Sequence, residues 1–194
     1  MLTNLNWYLA AMKALSFALV PNTKHDVEQL VQMAGLDVHG NPYLNDSDRF
    51  PHITLSMGSV PDAQIARLVK HFKPIDCLVQ FNSFTLLNNT SSPINWLNVA
   101  LDRSLKALHV SYEKEFARVR TNEVVPNHFV RPDRLTGREV DYIAHFENFA
   151  NERYRPHITL GYGDLAQKST PDEMLMTVGL FQLGPSCTCA KRLC

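Results

Sequence analysis

Hydrophobic positions along the chain repeat with two periods, and the period switches several times. The run ALSFALV over 14–20 reads as a first strand, ended by Pro21 and Asn22. Thr23 or Asp26 then caps a helix that sets Val27, Leu30, Val31 and Ala34 on one face and stops at Gly35. A polar stretch over 37–48 leads to a short apolar strand. Pro61 and Asp62 open a second helix carrying Ile65, Leu68, Val69 and Phe72 in register, closed before Pro74. Residues 77–88 and 94–102 read as strands joined by the turn NTSSP. A longer helix follows, with Leu101, Leu105, Leu108, Tyr112, Phe116 and Val119 as its apolar stripe. Residues 121–138 are polar, hold two prolines and show no period, which predicts a surface loop. A helix near Glu139 to Asn151, a second short apolar strand, and closing strands over 174–184 and 187–193 complete the pattern. The expected fold class is α+β, in which two pseudo-symmetric lobes of antiparallel sheet with outer helices flank a central cleft. The 194 residues are expected to form a single domain of two intertwined lobes.

The two short apolar strands are the same word. FPHITLSMG begins at Phe50 and RPHITLGYG begins at Arg155, so PHITL occurs twice about a hundred residues apart. That interval is too long for a solenoid repeat, and two copies do not make an array. Strand alternation puts His52 and Thr54 on one face and Ile53 and Leu55 on the other. His157 and Thr159 stand in the same relation to Ile158 and Leu160. Two such strands lining one cleft would bring two imidazoles and two hydroxyls to a common point. That set suits phosphodiester cleavage: one neutral histidine takes a proton and the other, protonated, gives one. The threonines would donate hydrogen bonds to non-bridging phosphate oxygens. Pro51 and Pro156 lack an N–H and favour an edge or strand-start position for both copies.

Charge and cysteine content narrow the partners. Nineteen basic residues balance nineteen acidic ones, so the chain lacks the broad positive field that holds long nucleic acids. A small nucleotide or short RNA is the expected substrate, and a DNA duplex and a membrane are not expected. Four cysteines, three of them bunched at the end, do not make a disulfide scaffold, and a reducing cytoplasm is the expected setting. The apolar run near the N-terminus has no basic residues before it, and Lys13 interrupts it, so it reads as neither a signal peptide nor a membrane span. No role is assigned to residues 1–12, and a monomer is expected. No metal or cofactor is expected: H-E-x-x-H, H-x-H and paired C-x-x-C spacings are missing. Asp46 and Asp48 near His52 have no counterpart before His157.

The paired HITL segments, at 52–55 and 157–160, resemble the signature of the 2H phosphoesterases, a family that includes 2′-5′ RNA ligase-like proteins and cyclic phosphodiesterases. The layout is also similar, with an early apolar strand ending in Pro-Asn, a helix before each motif and a late LFQLG strand. The resemblance implies metal-free cleavage of 2′,3′-cyclic phosphates or 2′-5′ linkages, with His52 and His157 as acid and base. It makes Thr54 and Thr159 phosphate ligands. A catalytically silent nucleotide- or RNA-binding module using the same cleft is the alternative. Trp96 has two readings, stacking on a base or packing under a neighbouring helix. Tyr162 is expected in the core or at its rim, Phe17 is ambiguous, and Arg49 and Arg155 are either phosphate-attracting or solvated edge charges.

Overall fold

A computed structural model describes residues 12–37, 39–45, 47–88, 93–163, 165 and 169–194. Its frame is a seven-stranded sheet in which every pairing is antiparallel. The strands are β1 (Met12–Pro21), β2 (Ile53–Pro61), β3 (Asp76–Leu87), β4 (Ile94–Val99), β5 (His157–Tyr162), β6 (Glu173–Leu183) and β7 (Cys189–Arg192). Among the described residues there are four α-helices, α1 (Lys24–Met33), α2 (Asp62–His71), α3 (Arg103–Phe116) and α4 (Arg138–Ala144). None is long and apolar enough to cross a membrane. The mixed α+β class matches the expectation.

Neighbouring strands follow the order β2-β1-β6-β3-β4-β5, with β7 added to β6. The two PHITL strands are therefore the two ends of the path. Yet β2 and β5 touch each other, so the sheet curls until its ends meet. β3 joins the halves: Asp76 to Gln80 pair with β6, and from Phe81 onward it pairs with β4.

Local sequence explains the helices. The Thr23 hydroxyl accepts from the Asp26 N–H at 3.1 Å and caps α1. Asp102 accepts from the Leu105 N–H at 2.7 Å and caps α3. Pro61 directly precedes α2, where the absent N–H costs nothing.

Both faces of β1 are buried, and they feed different cores. Leu15, Phe17 and Leu19 join the larger core with Leu30 and Met33 of α1, Leu68 of α2 and Tyr112 and Phe116 of α3. Phe17 is thus a core residue, with the Tyr112 ring tilted against it at 4.6 Å between centroids. Ala14, Ala18 and Val20 join a smaller core with Phe181, Leu183, Ile143 and Phe146.

Several expectations need correction. The first strand begins at Met12, inside the segment set aside as an extension. Leu101 lies before α3 and is exposed. The helix expected near 139–151 is only α4, followed by 3-10 turns at Phe146–Phe149 and Asn151–Arg153. Residues 121–138 run largely at the surface, as expected, but are pinned to the sheet at several points. Thr121 bridges to Ser59, His128 and Phe129 are buried, and the Val130 N–H donates to Leu183 O. The chain is held there by individual side chains and scattered backbone bonds, which leave no period to read. The turn at 89–92 lies outside the described residues, as do 1–11.

Candidate active site

The two motifs have the same local form. In each, the proline is buried, the histidine half-buried, the isoleucine buried, the threonine half-buried and the leucine buried. Each proline stands at the start of an edge strand, where a missing N–H breaks no ladder bond.

The imidazoles are oriented alike as well. Nδ1 of His52 lies 2.8 Å from Phe50 O, and Nδ1 of His157 lies 2.8 Å from Arg155 O. A carbonyl only accepts, so each Nδ1 must carry the hydrogen. In the neutral ring Nε2 then holds the lone pair, free to take a proton. Burial pushes the His52 pKa below its ordinary 6.5, with the Phe50 carbonyl pulling the other way. Burial also pushes His157 down, to about 4, against its own carbonyl partner. The charge of His52 adds to that fall, and the strands that follow the two rings, β2 and β5, are in contact.

Contacts from several elements hold the strands. Tyr154 Oη donates to Thr54 O at 2.8 Å, tying the approach to β5 onto the edge of β2. Its ring stacks on His109 of α3, with centroids 3.7 Å apart. His109 in turn donates from Nδ1 to Leu55 O at 2.7 Å and accepts the Asn151 N–H on Nε2 at 2.8 Å. One fully buried imidazole thus links β2 to the segment that leads into β5. The sequence held a sign of it: 105, 109, 112 and 116 share the helical spacing of the α3 stripe, and a histidine stands among its apolar members. Nothing local marks Tyr154.

A bulge in β2 was not legible either. The register passes from Phe17 opposite Ser56 to Ala18 opposite Thr54, skipping Leu55. Thr54 therefore shares the face of Ala18, while Ser56 turns to the helix side and donates to Glu113 at 2.6 Å. Glu113 is buried and pairs with Arg120 at 2.8 Å.

Trp96 lies opposite Thr159, and Asn98 opposite His157, on the polar face of β4. The indole stacks on the His157 ring, with centroids 3.6 Å apart and planes within 16°. It does not sit under a helix, and the base-stacking reading is left with its other face. Asn98 donates to Ser83 Oγ at 3.0 Å and Thr85 Oγ1 at 2.7 Å, extending a polar surface away from His157. No hydrogen bond from a described residue engages the hydroxyl of Thr54 or Thr159. Tyr162 packs partly buried against the larger core, edge-on to Tyr43.

The remaining candidates stand apart from this face. Arg49 is paired with Asp37 at 2.8 Å and donates to Pro42 O at 3.1 Å, so its charge is engaged. Arg155 is exposed and contributes its carbonyl. Asp48 is held by Asn45 and Arg131, and Asp46 lies outside the described residues. The four cysteines are free thiols.

No protein-family model matches the chain, and no curated protein matches it at a significant level.

Proposed function

We propose that the chain is a metal-independent phosphodiesterase of the 2H phosphoesterase type. It cleaves 2′,3′-cyclic phosphates or 2′-5′ phosphodiester bonds in nucleotides or RNA ends. The observation that carries this reading is the duplicate pair of imidazoles. Each is fixed at Nδ1 by the carbonyl two residues earlier, and the strands they lead into, β2 and β5, are in contact. A fixed Nδ1–H leaves Nε2 as the one nitrogen that exchanges protons, which is what an acid and a base facing the same phosphorus require.

In hydrolysis of a cyclic phosphate, one neutral Nε2 takes a proton from water as its oxygen bonds to phosphorus. The P–O bond to the ribose breaks, and that oxygen receives the proton held on the other Nε2. The reaction leaves the acid and base roles exchanged, and solvent restores them. Thr54 and Thr159 donate to the non-bridging oxygens, where negative charge builds up. Both pKa values are depressed, so the free protein near neutrality holds neutral imidazoles. The anionic substrate raises the pKa of the ring it meets and brings in the missing proton.

The finer architecture belongs to this proposal. Each motif strand closes a β-α-β unit, β1-α1-β2 in one half and β4-α3-β5 in the other. The segment after each helix crosses to the opposite half. The Gly35 N–H donates to Leu160 O at 2.7 Å, and the Thr121 N–H donates to Ser59 O at 2.8 Å. That reciprocal crossing supports one domain, 1–194, of two pseudo-symmetric, intertwined lobes with the catalytic cleft between them. Free thiols and balanced charge fit a reducing, cytoplasmic setting.

The test is turnover of the four 2′,3′-cyclic nucleotides and a 2′-5′ adenylate with chelator present. His52→Ala and His157→Ala are each expected to lower kcat about 10²- to 10⁴-fold while the protein stays folded. Wild-type rates in both variants would reject the reading. Tight nucleotide binding without product, seen by calorimetry and phosphorus NMR, would favour a silent binding module.

A further inference from the structure

An open groove lies on the same sheet face as His52, and strand register shows how the two connect. Ala18 stands opposite Thr54 and Leu19 opposite Ile53, the last pair of the β1–β2 ladder, and Val20 follows Ala18 on the same face of β1. Val20 is opposite Thr177, and Thr177 is opposite Asp76. Residues directly opposite in a ladder share a face. Val20, Thr177 and Asp76 therefore form one row across three strands, about 10 Å long at two strand spacings, and its Val20 end lies beside the Ala18–Thr54 pair. Around this row is a cavity of about 470 Å³ lined by Val20, Pro21, Asn22, Pro74, Asp76, Thr177 and Arg192. That volume falls in the range of small-ligand sites, about 300–1,000 Å³.

The lining has apolar walls, a polar cluster and Arg192, whose Nε–H donates to Cys194 O at 3.2 Å. Val20, Pro21 and Pro74 offer apolar walls. Between them, the Thr177 hydroxyl lies against Oδ1 of Asn22 and Oδ1 of Asp76 and gives its single hydrogen to one of them, and Asn22 Nδ2 donates to Asp76 Oδ1 at 3.4 Å. These bonds fix both side chains and use up one carboxylate oxygen. Oδ2 of Asp76 takes no hydrogen bond from a described residue, and Asn22 keeps one N–H. The exposed edge of the cluster is a carboxylate acceptor beside an amide donor.

We propose that this groove is the nucleobase subsite of the same active site and that it takes guanine; the inference rests on the phosphodiesterase reading above. A carboxylate only accepts, so the base must present donors. Guanine places two adjacent donors, N1–H and the 2-amino group, against Asp76, and its O6 against the remaining Asn22 N–H. Adenine and cytosine offer one amino group beside a ring acceptor. Uracil sets two carbonyls around its single N–H and would aim one at the carboxylate. The apolar walls receive the faces of the ring. The phosphate then lies beyond the Val20 end of the row, toward Thr54 and His52.

Binding tests this independently of turnover. Calorimetry compares guanosine 3′-monophosphate with uridine 3′-monophosphate on wild type, Asp76→Ala and Asp76→Asn. A bidentate polar pair discriminates by roughly tenfold or more, so wild type is expected to prefer the guanosine ligand by at least about tenfold. Asp76→Ala should bring the two within about twofold by weakening guanosine binding alone, and Asp76→Asn, which adds a donor, should tighten uridine binding. Equal affinities in wild type, no binding of either ligand, or a guanosine preference that survives in Asp76→Asn would overturn the proposal. Loss of both ligands in Asp76→Ala passes the decision to Asp76→Asn. If His52→Ala and His157→Ala keep full turnover while the base preference stands, the phosphodiesterase assignment fails and the subsite does not.

Discussion

His52 and His157 share a backbone partner type but not a neighbour. Trp96 covers one face of the His157 ring, whereas among the described residues no aromatic ring stacks on His52. An indole on an imidazole has two opposed effects. It shuts out water, which disfavours the protonated ring, and its π-face attracts the cation, which favours it. Magnitudes decide between them. At a partly exposed site the cation–π term is about 0.5–1 kcal/mol, less than one pKa unit. The His157 pKa sits at about 4 with burial as the leading cause. Opening that face to water should therefore outweigh the lost attraction. In Trp96→Ala the His157 titration, followed by its ring proton in NMR, is expected to move up toward 6.5, and Trp96→Phe should move it less. An unchanged or lower midpoint in Trp96→Ala would mean that the indole is not what keeps the ring dry.

Two glycines follow the second motif, and at the scale of the strand they have different duties. Gly161 has φ +98°, and a Cβ there would stand 2.5 Å from Tyr43 Cβ. Gly163 has φ +77°, with nothing within 4 Å of the same position. Both substitutions to alanine meet the left-handed backbone, at about 1 kcal/mol or more. Only Gly161→Ala also drives a methyl into a packed ring. It should cost about 1–3 kcal/mol more than Gly163→Ala, read as a lower urea midpoint at constant slope. Equal midpoints would show that Tyr43 gives way freely. The same strand shows what sequence could reveal. Ile158 and Leu160 inward with His157 and Thr159 outward follows from alternation alone, as does Trp96 opposite to Leu97. Thr23 as a cap and Pro61 as a helix start are likewise local chemistry. The skipped residues at Leu55 and Leu160 are not, because a bulge is a mismatch between two strands and shows only once they pair. Nor are Tyr154 and His109, whose partners lie 100 and 54 residues away. Phe129 was missed because one buried ring in a polar segment makes no period.

Across the whole molecule, the proposed catalysis and stability make opposite demands on the same protons. His52, His109 and His157 all have pKa values depressed by burial. In the unfolded chain each returns to about 6.5, so below that value the unfolded state binds more protons. Stability is full above about pH 6.5 and is lost as pH falls through the lower folded values. His109 suffers most directly, since a proton on Nε2 would displace the Asn151 N–H it now accepts. Acid–base turnover nevertheless needs one of the paired imidazoles charged. A bound anion reconciles the two by raising that pKa, so anion binding takes up a proton and must strengthen as pH falls. Sulfate, whose charge is constant over this range, isolates the effect. Without it, the melting temperature should drop between about pH 7.5 and pH 5. With it, the increment should be larger at the acid end, and His157→Ala should flatten that dependence. A sulfate increment that is equal at both pH values in the unmodified protein would mean that no imidazole gains a proton on binding, and the acid–base pairing of His52 with His157 would fail with it.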